Sequence, residues 1–427
     1  MVVELVVDRI VAGGAGIAEH DGRKVFVEGA APGDRVRAAL YNEKPRHAFA
    51  RIEEILEPSP LRVEPQCPLF GDCGGCQFQH ISHPGQLVVK KLIVGDAMRH
   101  IGRLVAIVHN TTGSGEPWHY RNNTQYPVKR NGGPRIGFFR QGSHDVVDAP
   151  KCLLHPPSFD EARDVLKNTL EGTTGSTDIH HLVLRQGTGT GNMLAIVKTR
   201  SENLDPRVVD ALSRQKGVVG VARTASDNAG REGPCHTVTG QDHLEHQVLG
   251  LRFRVSPLSF FQVNTGQAEV LCRKVLRHLA PEGDEKVLDL FSGVGMLSVA
   301  VAGFVGEVTG IEMDPGAVAD AKENARENGV ANCRFIAGRV ADALREVESC
   351  DAVILDPPRR GCEPATLGRI SELKPRRVVY VSCDPATLAR DLRILVDAGY
   401  DIDRVEPVDM FPQTFHVETV ASLSRTA

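Results

Sequence analysis

The stretch Lys286-Val-Leu-Asp-Leu-Phe-Ser-Gly-Val-Gly295 decides the fold. An apolar run of strand length ends in a glycine-rich turn, and Met296-Leu-Ser-Val-Ala-Val-Ala302 continues from it as a helix. Such a unit opens a parallel, doubly wound sheet and lets a ligand approach the backbone at the carboxyl ends of the strands. The pattern repeats downstream. EVTGIEMD (307–314), CRFIAG (333–338), DAVILDPP (351–358) and RVVYVSC (377–383) read as strands, and PGAVADAKENAREN and PATLARDLRIL read as helices. The last two runs, YDIDRVEPVDM and HVETVASL, have no helix between them, which predicts an antiparallel addition at the sheet edge.

The predicted strand ends carry chemistry. Asp289, Phe291, Gly293 and Gly295 shape the first turn, and Glu312 at the end of the next strand is placed to accept hydrogen bonds from ribose hydroxyls. A tight turn without a ligand reads the same way. A nicotinamide-binding fingerprint is a further option, although Ser298 occupies its third glycine position. Asp356-Pro-Pro-Arg-Arg-Gly361 holds an acceptor rigidly at a strand end. In Ser382-Cys-Asp-Pro385, Asp384 reads as a helix N-cap and Pro385 as the first helical residue, which sets the Cys383 sulfur where the helix dipole favours a thiolate. A free cysteine is otherwise a core filler. Glu418 opens an apolar run, where a charge must work or pair. Ser256-Pro-Leu-Ser-Phe-Phe-Gln262-Val-Asn264 reads as a capped helix start, with Phe260 and Phe261 suited equally to stacking or to a core.

Further upstream, short strand-like runs separated by Gly- and Pro-rich turns predict a small β-barrel over residues 1–57. A proline-rich connector follows at 57–65, and a middle α/β domain is expected over 58–255, before a catalytic domain at 256–427. Apolar spacing predicts a helix near 86–103, which can pack on the catalytic domain. Ten cysteines in 427 residues are too few for a secreted disulfide scaffold, yet Cys67, Cys73 and Cys76 cluster and Cys152 stands apart. Without an export signal, metal-binding or catalytic thiols in a reducing cytoplasm are the expectation.

SPLSFFQVN, VLDLFSGVG, GIEMD, ILDPPRRG, YVSCDPATLARDL and MFPQTFHVE occur in this order. Together they resemble the S-adenosylmethionine-dependent RNA 5-methyluridine methyltransferases, which act on tRNA or 23S ribosomal RNA. The resemblance implies a Rossmann-like catalytic domain in which Cys383 is the nucleophile and Glu418 the base. It implies S-adenosylmethionine contacts from Gln262, Phe291, Glu312 and Asp356, with Asp289, Gly293 and Gly295 shaping the same loop. Residues 1–57 look like the family's RNA-binding TRAM barrel. Cys67, Cys73, Cys76 and Cys152 look like its [4Fe–4S] site, with a four-cysteine zinc site as the alternative. The expected partner is RNA, 23S ribosomal RNA ahead of tRNA, for a monomeric cytoplasmic protein with no membrane association. The rival from another class is a non-catalytic iron–sulfur RNA-binding protein with a decayed transferase domain. Two positions depart from the family: Met296 stands where many members have Asn, and Gln413 where relatives often have His.

Composition qualifies the RNA expectation. Fifty basic residues against 54 acidic ones leave a formal charge of −4, which excludes affinity from bulk charge. Local runs differ. Residues 86–140 hold nine basic residues against Asp96 and Glu116, and residues 359–377 hold six against Glu363 and Glu372. RNA loops are read largely through shape and unstacked bases, so local patches suffice, with a moderate dependence on salt.

Overall fold

In a computed structural model, which describes residues 1–130, 133–171, 178–227 and 232–426, the chain builds three large sheets and one hairpin. The first sheet comprises β1 (Val2–Val6), β2 (Arg9–Ile10), β3 (Gly16–His20), β4 (Arg23–Glu28), β5 (Arg35–Tyr41) and β6 (His47–Glu57), in the order β1-β5-β6-β4-β3-β2. Alternation along these strands turns Val3, Leu5, Val25, Val27, Val36 and Ala38 into one small core. The sequence AEHDG reads as a turn, yet Gly16–His20 is a strand and the turn begins at Asp21, whose φ is +49°. Pairing with β4 imposes the strand where the residues themselves do not advertise it.

The second sheet follows α1 (His83–Asp96), which runs on into a π-helical turn at Ala97–Gly102. Its elements are β7 (Asn123–Lys129), β8 (Arg135–Phe139), β9 (Val146–Asp148), α2 (Pro157–Glu171), β10 (Ile179–Gln186), β11 (Met193–Thr199), α3 (Pro206–Ser213), β12 (Val218–Ser226) and β13 (Glu232–Gly240). Phe159 and Leu166 of α2 and Leu212 of α3 pack on Tyr126, Leu182 and Met193 of the sheet. Helix α3 and strand β13 are absent from the sequence reading. The first is only eight residues long, with Val208 and Leu212 as its buried positions, and the second is mostly exposed.

A hairpin of β14 (Leu244–Val248) and β15 (Leu251–Val255) corrects the expected boundary at 255. Its Val248, Phe253 and Val255 lie in the core of the C-terminal part, with Phe261 and Leu271. The third sheet contains β16 (Lys286–Leu290), β17 (Glu307–Glu312), β18 (Cys333–Ala337), β19 (Ala352–Leu355), β20 (Arg377–Ser382), β21 (Tyr400–Val408) and β22 (Glu418–Arg425). Their order is β18-β17-β16-β19-β20-β22-β21, with the first five parallel and β22 antiparallel to both of its neighbours. Helices α4 (Thr265–Leu279), α5 (Met296–Ala302), α6 (Pro315–Glu327), α7 (Val340–Ala343), α8 (Pro364–Leu373) and α9 (Pro385–Asp397) flank it. The winding reverses between β16 and β19, and such a switch point opens a crevice at the carboxyl ends of the strands. Val94, Ala97 and Met98 at the end of α1 pack into the core beneath α9, joining the second part of the chain to the third. Among the described residues, no helix is long and apolar enough to cross a membrane.

Candidate active site

At the switch point a cleft of about 630 Å³ opens between β16, β17, β19, β20 and β22. Strand register brings its parts together. Leu290 pairs with Leu355, so Phe291 and Asp356 leave neighbouring strands side by side. Ser382 pairs with Thr419 in antiparallel register, which sets Cys383, one residue onward, across from Glu418, one residue back. Gln262, Phe291, Gly293, Glu312, Asp356, Cys383 and Glu418 all line this cleft. Asp289 lines a smaller adjoining cavity with Gln262 and Met296.

The glycine turn is built for close approach. Phe291 has a φ of +67°, a left-handed conformation that a bulky residue adopts only where its surroundings force it. The N–H groups of Phe291 and Ser292 both donate to Ile311 O, which holds the turn against β17. Gly293 N–H donates to Glu312 Oε2 at 3.1 Å, and Glu312 Oε1 accepts from Asp314 N–H at 2.9 Å, so the carboxylate is fixed at the strand end. Gly295 combines a φ of +79° with close packing: a Cβ there would stand 3.0 Å from Phe335 and 3.1 Å from Ala321. Ser298 donates to Asp289 Oδ2 at 2.6 Å, which gives the third-glycine position a structural task. Met296 is buried in the surrounding core.

Asp384 caps α9 by accepting from Ala386 N–H and Thr387 N–H, with Pro385 in the first turn. The dipole does not win here. Burial, followed by the charge of Glu418, pushes the Cys383 thiol up to about 11 against the opposing pull of Arg359. Glu418 is itself raised by burial and then by Asp356, and Asp356 by burial and then by Asp289. Burial pushes Asp289 up to about 7. Crowded carboxyl groups that raise one another in this way are poised for a cationic ligand. Among the described residues, Glu418 forms no ion pair, so a structural salt bridge does not account for it. Cys383 is half-buried at the cleft wall and belongs to no core cluster.

The aromatic pair separates. Phe261 is buried and stacks on His246 at 4.4 Å, whereas Phe260 is 68% exposed and lines the cleft. The sequence reading assigns Arg359 only to a basic patch and misses its place as the cation nearest Cys383 and Glu418. Its position directly after Asp356-Pro-Pro was the available signal. Gln413 also finds its reason. It sits at a φ of +69° and exchanges hydrogen bonds with Gln86 of α1, whose Oε1 accepts from Gln413 N–H and whose Nε2 donates to Gln413 Oε1, each at 2.9 Å.

The basic run at 86–140 is less available than its sequence implies. Lys90 is completely buried against Asp409, Arg121 is largely enclosed, and Arg140 pairs with Asp72.

Cys67, Cys73, Cys76 and Cys152 are free thiols that line one cavity of about 80 Å³. Among the described residues, no ready-made metal position with three or more His, Cys, Asp or Glu ligands is present. The donor set nevertheless suits a soft centre. Four sulfurs face one space, Arg121 Nε is buried beside them with no hydrogen-bond partner, and Gly75 N–H points at Cys73 Sγ at 3.4 Å. Gly74 serves a different purpose from its neighbour, since a Cβ there would meet Phe139 O at 3.2 Å.

A doubly wound sheet with a carboxylate-rich crevice at its switch point defines a Rossmann-like fold with a ligand site at its strand ends. Residues 238–426 match the model of the tRNA (Uracil-5-)-methyltransferase family. The chain is 38% identical to an uncharacterized RNA methyltransferase of Halalkalibacterium halodurans, over 99% of this chain and 96% of that protein. It is 39% identical to another from Gloeobacter violaceus, with the same coverage. A tRNA (uracil-54, C5)-methyltransferase of Pyrococcus abyssi, solved in complex with S-adenosyl-L-homocysteine, superposes with a TM-score of 0.75 at 27% identity, over 98% of this chain and 100% of that one. The chain belongs to the S-adenosylmethionine-dependent RNA uracil-5-methyltransferase family.

Proposed function

We propose that this protein transfers a methyl group from S-adenosylmethionine to carbon 5 of a uridine in 23S ribosomal RNA, through a covalent adduct with Cys383. The facing of Cys383 and Glu418 across adjacent strand ends carries the reading. The sulfonium of the methyl donor suits the carboxyl-rich wall of Asp289, Asp356 and Glu312, with Gln262, Phe291, Gly293 and Gly295 shaping the rest of that pocket.

Carbon 5 of uracil is too weak a nucleophile to take the methyl unaided. The Cys383 thiolate adds at carbon 6, forming an S–C bond and moving the electrons of the ring double bond into an enolate. Carbon 5 then attacks the methyl group, the sulfonium S–C bond breaks, and S-adenosylhomocysteine leaves. Glu418 removes the carbon 5 proton, the double bond re-forms, and the thiolate is expelled. The target uridine enters the cleft flipped out of its stack. Exposed Phe260 at the rim offers it a surface.

We read the four cysteines as the ligands of a [4Fe–4S] cluster, with zinc as the alternative; Arg121 would offset the negative charge of either centre, and Gly75 would offer an N–H to sulfur. We read residues 1–57 as the TRAM-like RNA-binding barrel, 58–255 as the cysteine-bearing domain apart from its last hairpin, and the protein as a cytoplasmic monomer. The full-length likeness to the Pyrococcus abyssi enzyme favours tRNA as a second reading.

The test uses labelled S-adenosylmethionine with 23S ribosomal RNA and tRNA transcripts, each made with uridine or with 5-fluorouridine. Fluorine blocks the last elimination, so a denaturing gel shows an RNA–protein adduct that Cys383→Ala abolishes. No adduct with either RNA, while S-adenosylmethionine still binds, sinks the mechanism. Iron and sulfide content after anaerobic purification decides cluster against zinc.

A further inference from the structure

The loop from Asp409 to Val417 joins β21 to β22 and delivers Glu418, the first residue of β22, which pairs with Val408. Within this loop Thr414 Oγ1 donates to Phe411 O at 2.8 Å and His416 N–H to Thr414 Oγ1 at 3.3 Å, and further bonds reach it from outside. Lys90 Nζ donates to Phe411 O at 2.9 Å, Tyr120 Oη to Pro412 O at 3.0 Å, and the N–H groups of Gln77 and Phe78 to Gln413 O at 3.0 and 2.9 Å. Gln77 follows Cys76 directly, so the wall of the cysteine cavity and the grip on Gln413 are one turn.

At the centre of this grip lies Gln86, an uncharged residue on α1 that is completely buried. Its Oε1 accepts from Gln413 N–H, and its Nε2 faces Phe78 O, Ile81 O and Gln413 Oε1 at 2.9 to 3.0 Å. One amide therefore satisfies both the strained residue of the catalytic loop, at a φ of +69°, and the turn that holds that residue's carbonyl. A buried amide with every atom engaged fixes its partners in one arrangement.

We propose that Gln86 is a positioning residue for Glu418, pinning Gln413 so that the carboxylate meets the carbon 5 proton after methyl transfer. The proposal rests on the reading of Glu418 as the base. Phe411 of this loop also lines the cleft, and Met410 O accepts from Asn264 Nδ2 at 3.4 Å, but the hydrogen bonds of Gln86 reach neither, and proton removal is the step that needs the Glu418 carboxylate within hydrogen-bond reach. Misplacement by about 1 Å can slow such a step about 100-fold.

The test is single-turnover methylation of uridine-containing RNA by wild type, Gln86→Ala, Gln86→Glu and Glu418→Gln, read on denaturing gels beside calorimetric S-adenosylmethionine affinity. Gln86→Ala is expected to accumulate methylated RNA still bound to protein, as Glu418→Gln does, with turnover down about 100-fold and donor affinity unchanged. Gln86→Glu keeps the acceptor for Gln413 N–H but turns its other oxygen on Phe78 O, Ile81 O and Gln413 Oε1, so it is expected to restore part of the release only when that oxygen carries a proton. Wild-type release by Gln86→Ala overturns the proposal. So does a parallel fall in donor affinity and adduct formation, which marks general unfolding. If Glu418→Gln itself traps no adduct, the base assignment fails first and takes the positioning role with it.

Discussion

Cys383 and Glu418 share one electrostatic problem. Burial raises both, Glu418 adds to the rise at Cys383 and Asp356 to the rise at Glu418, and Arg359 is the charge that draws both back down. A thiolate nucleophile and a carboxylate base both need deprotonation, so the rate rises with pH through their raised values. Arg359→Ala removes the lowering charge that, among the described residues, the two have in common, and the ascending limb of the kcat/KM profile moves to higher pH. Arg359→Lys moves it less, because the positive charge remains. A profile unchanged in both variants would remove Arg359 from this electrostatic role. The helix N-terminus that favours a Cys383 thiolate is opposed by burial. A dipole acts through the first turn only, while desolvation comes from all the protein around the half-buried sulfur.

Single elements carry separable loads. The turn between β16 and α5 depends on Gly295 twice, for its left-handed backbone and for space beside Phe335 and Ala321. Gly295→Ala is expected to cost roughly 1–3 kcal/mol of stability. It should also weaken S-adenosylmethionine binding, measured by chemical denaturation and calorimetry. Helix α1 bears a different load. Its Lys90 is buried with Asp409, which is also held by His83 Nε2 at 2.9 Å, and these partners keep the Asp409 carboxyl below the usual carboxylate range despite burial. Lys90→Met leaves that carboxylate buried without its main partner, and a loss on the order of 3–5 kcal/mol follows. Urea unfolding of the full chain measures it. A loss below about 1 kcal/mol would mean that the pair behaves like a surface ion pair.

For the whole molecule, affinity for RNA has to come from few contacts. The chain is net acidic, and Lys90 and Arg121, two of the most suggestive basic residues, face inward. Arg359 and Arg360 line the cleft. Each neutralised phosphate on a single strand contributes about 0.7 to the slope of log K against log salt. Replacing Arg360 by Ala is expected to reduce that slope by about 0.7 in a filter-binding series. A slope that does not change removes Arg360 from the RNA path. The inward basic residues instead tie the parts of the chain together, through Asp409 and beside the four cysteines.

The sequence by itself determined the C-terminal sheet, because apolar strand runs, glycine turns and proline-capped helices are local signals that survive without a tertiary partner. It also determined which residues end those strands, and so Asp289, Phe291, Glu312, Asp356, Cys383 and Glu418 could be named from it. It read the end of β3 as a turn, was silent on the short α3 and the exposed β13, and misjudged the hairpin at 244–255. Only the tertiary structure decided the rest. Long-range register set Cys383 against Glu418. Burial reversed the dipole's effect on the thiol. Contacts more than three hundred residues apart in the chain gave Gln86 and Lys90 to the catalytic loop. Charge and hydrogen bonding depend on what lies across space, and a linear pattern records only what lies along the chain.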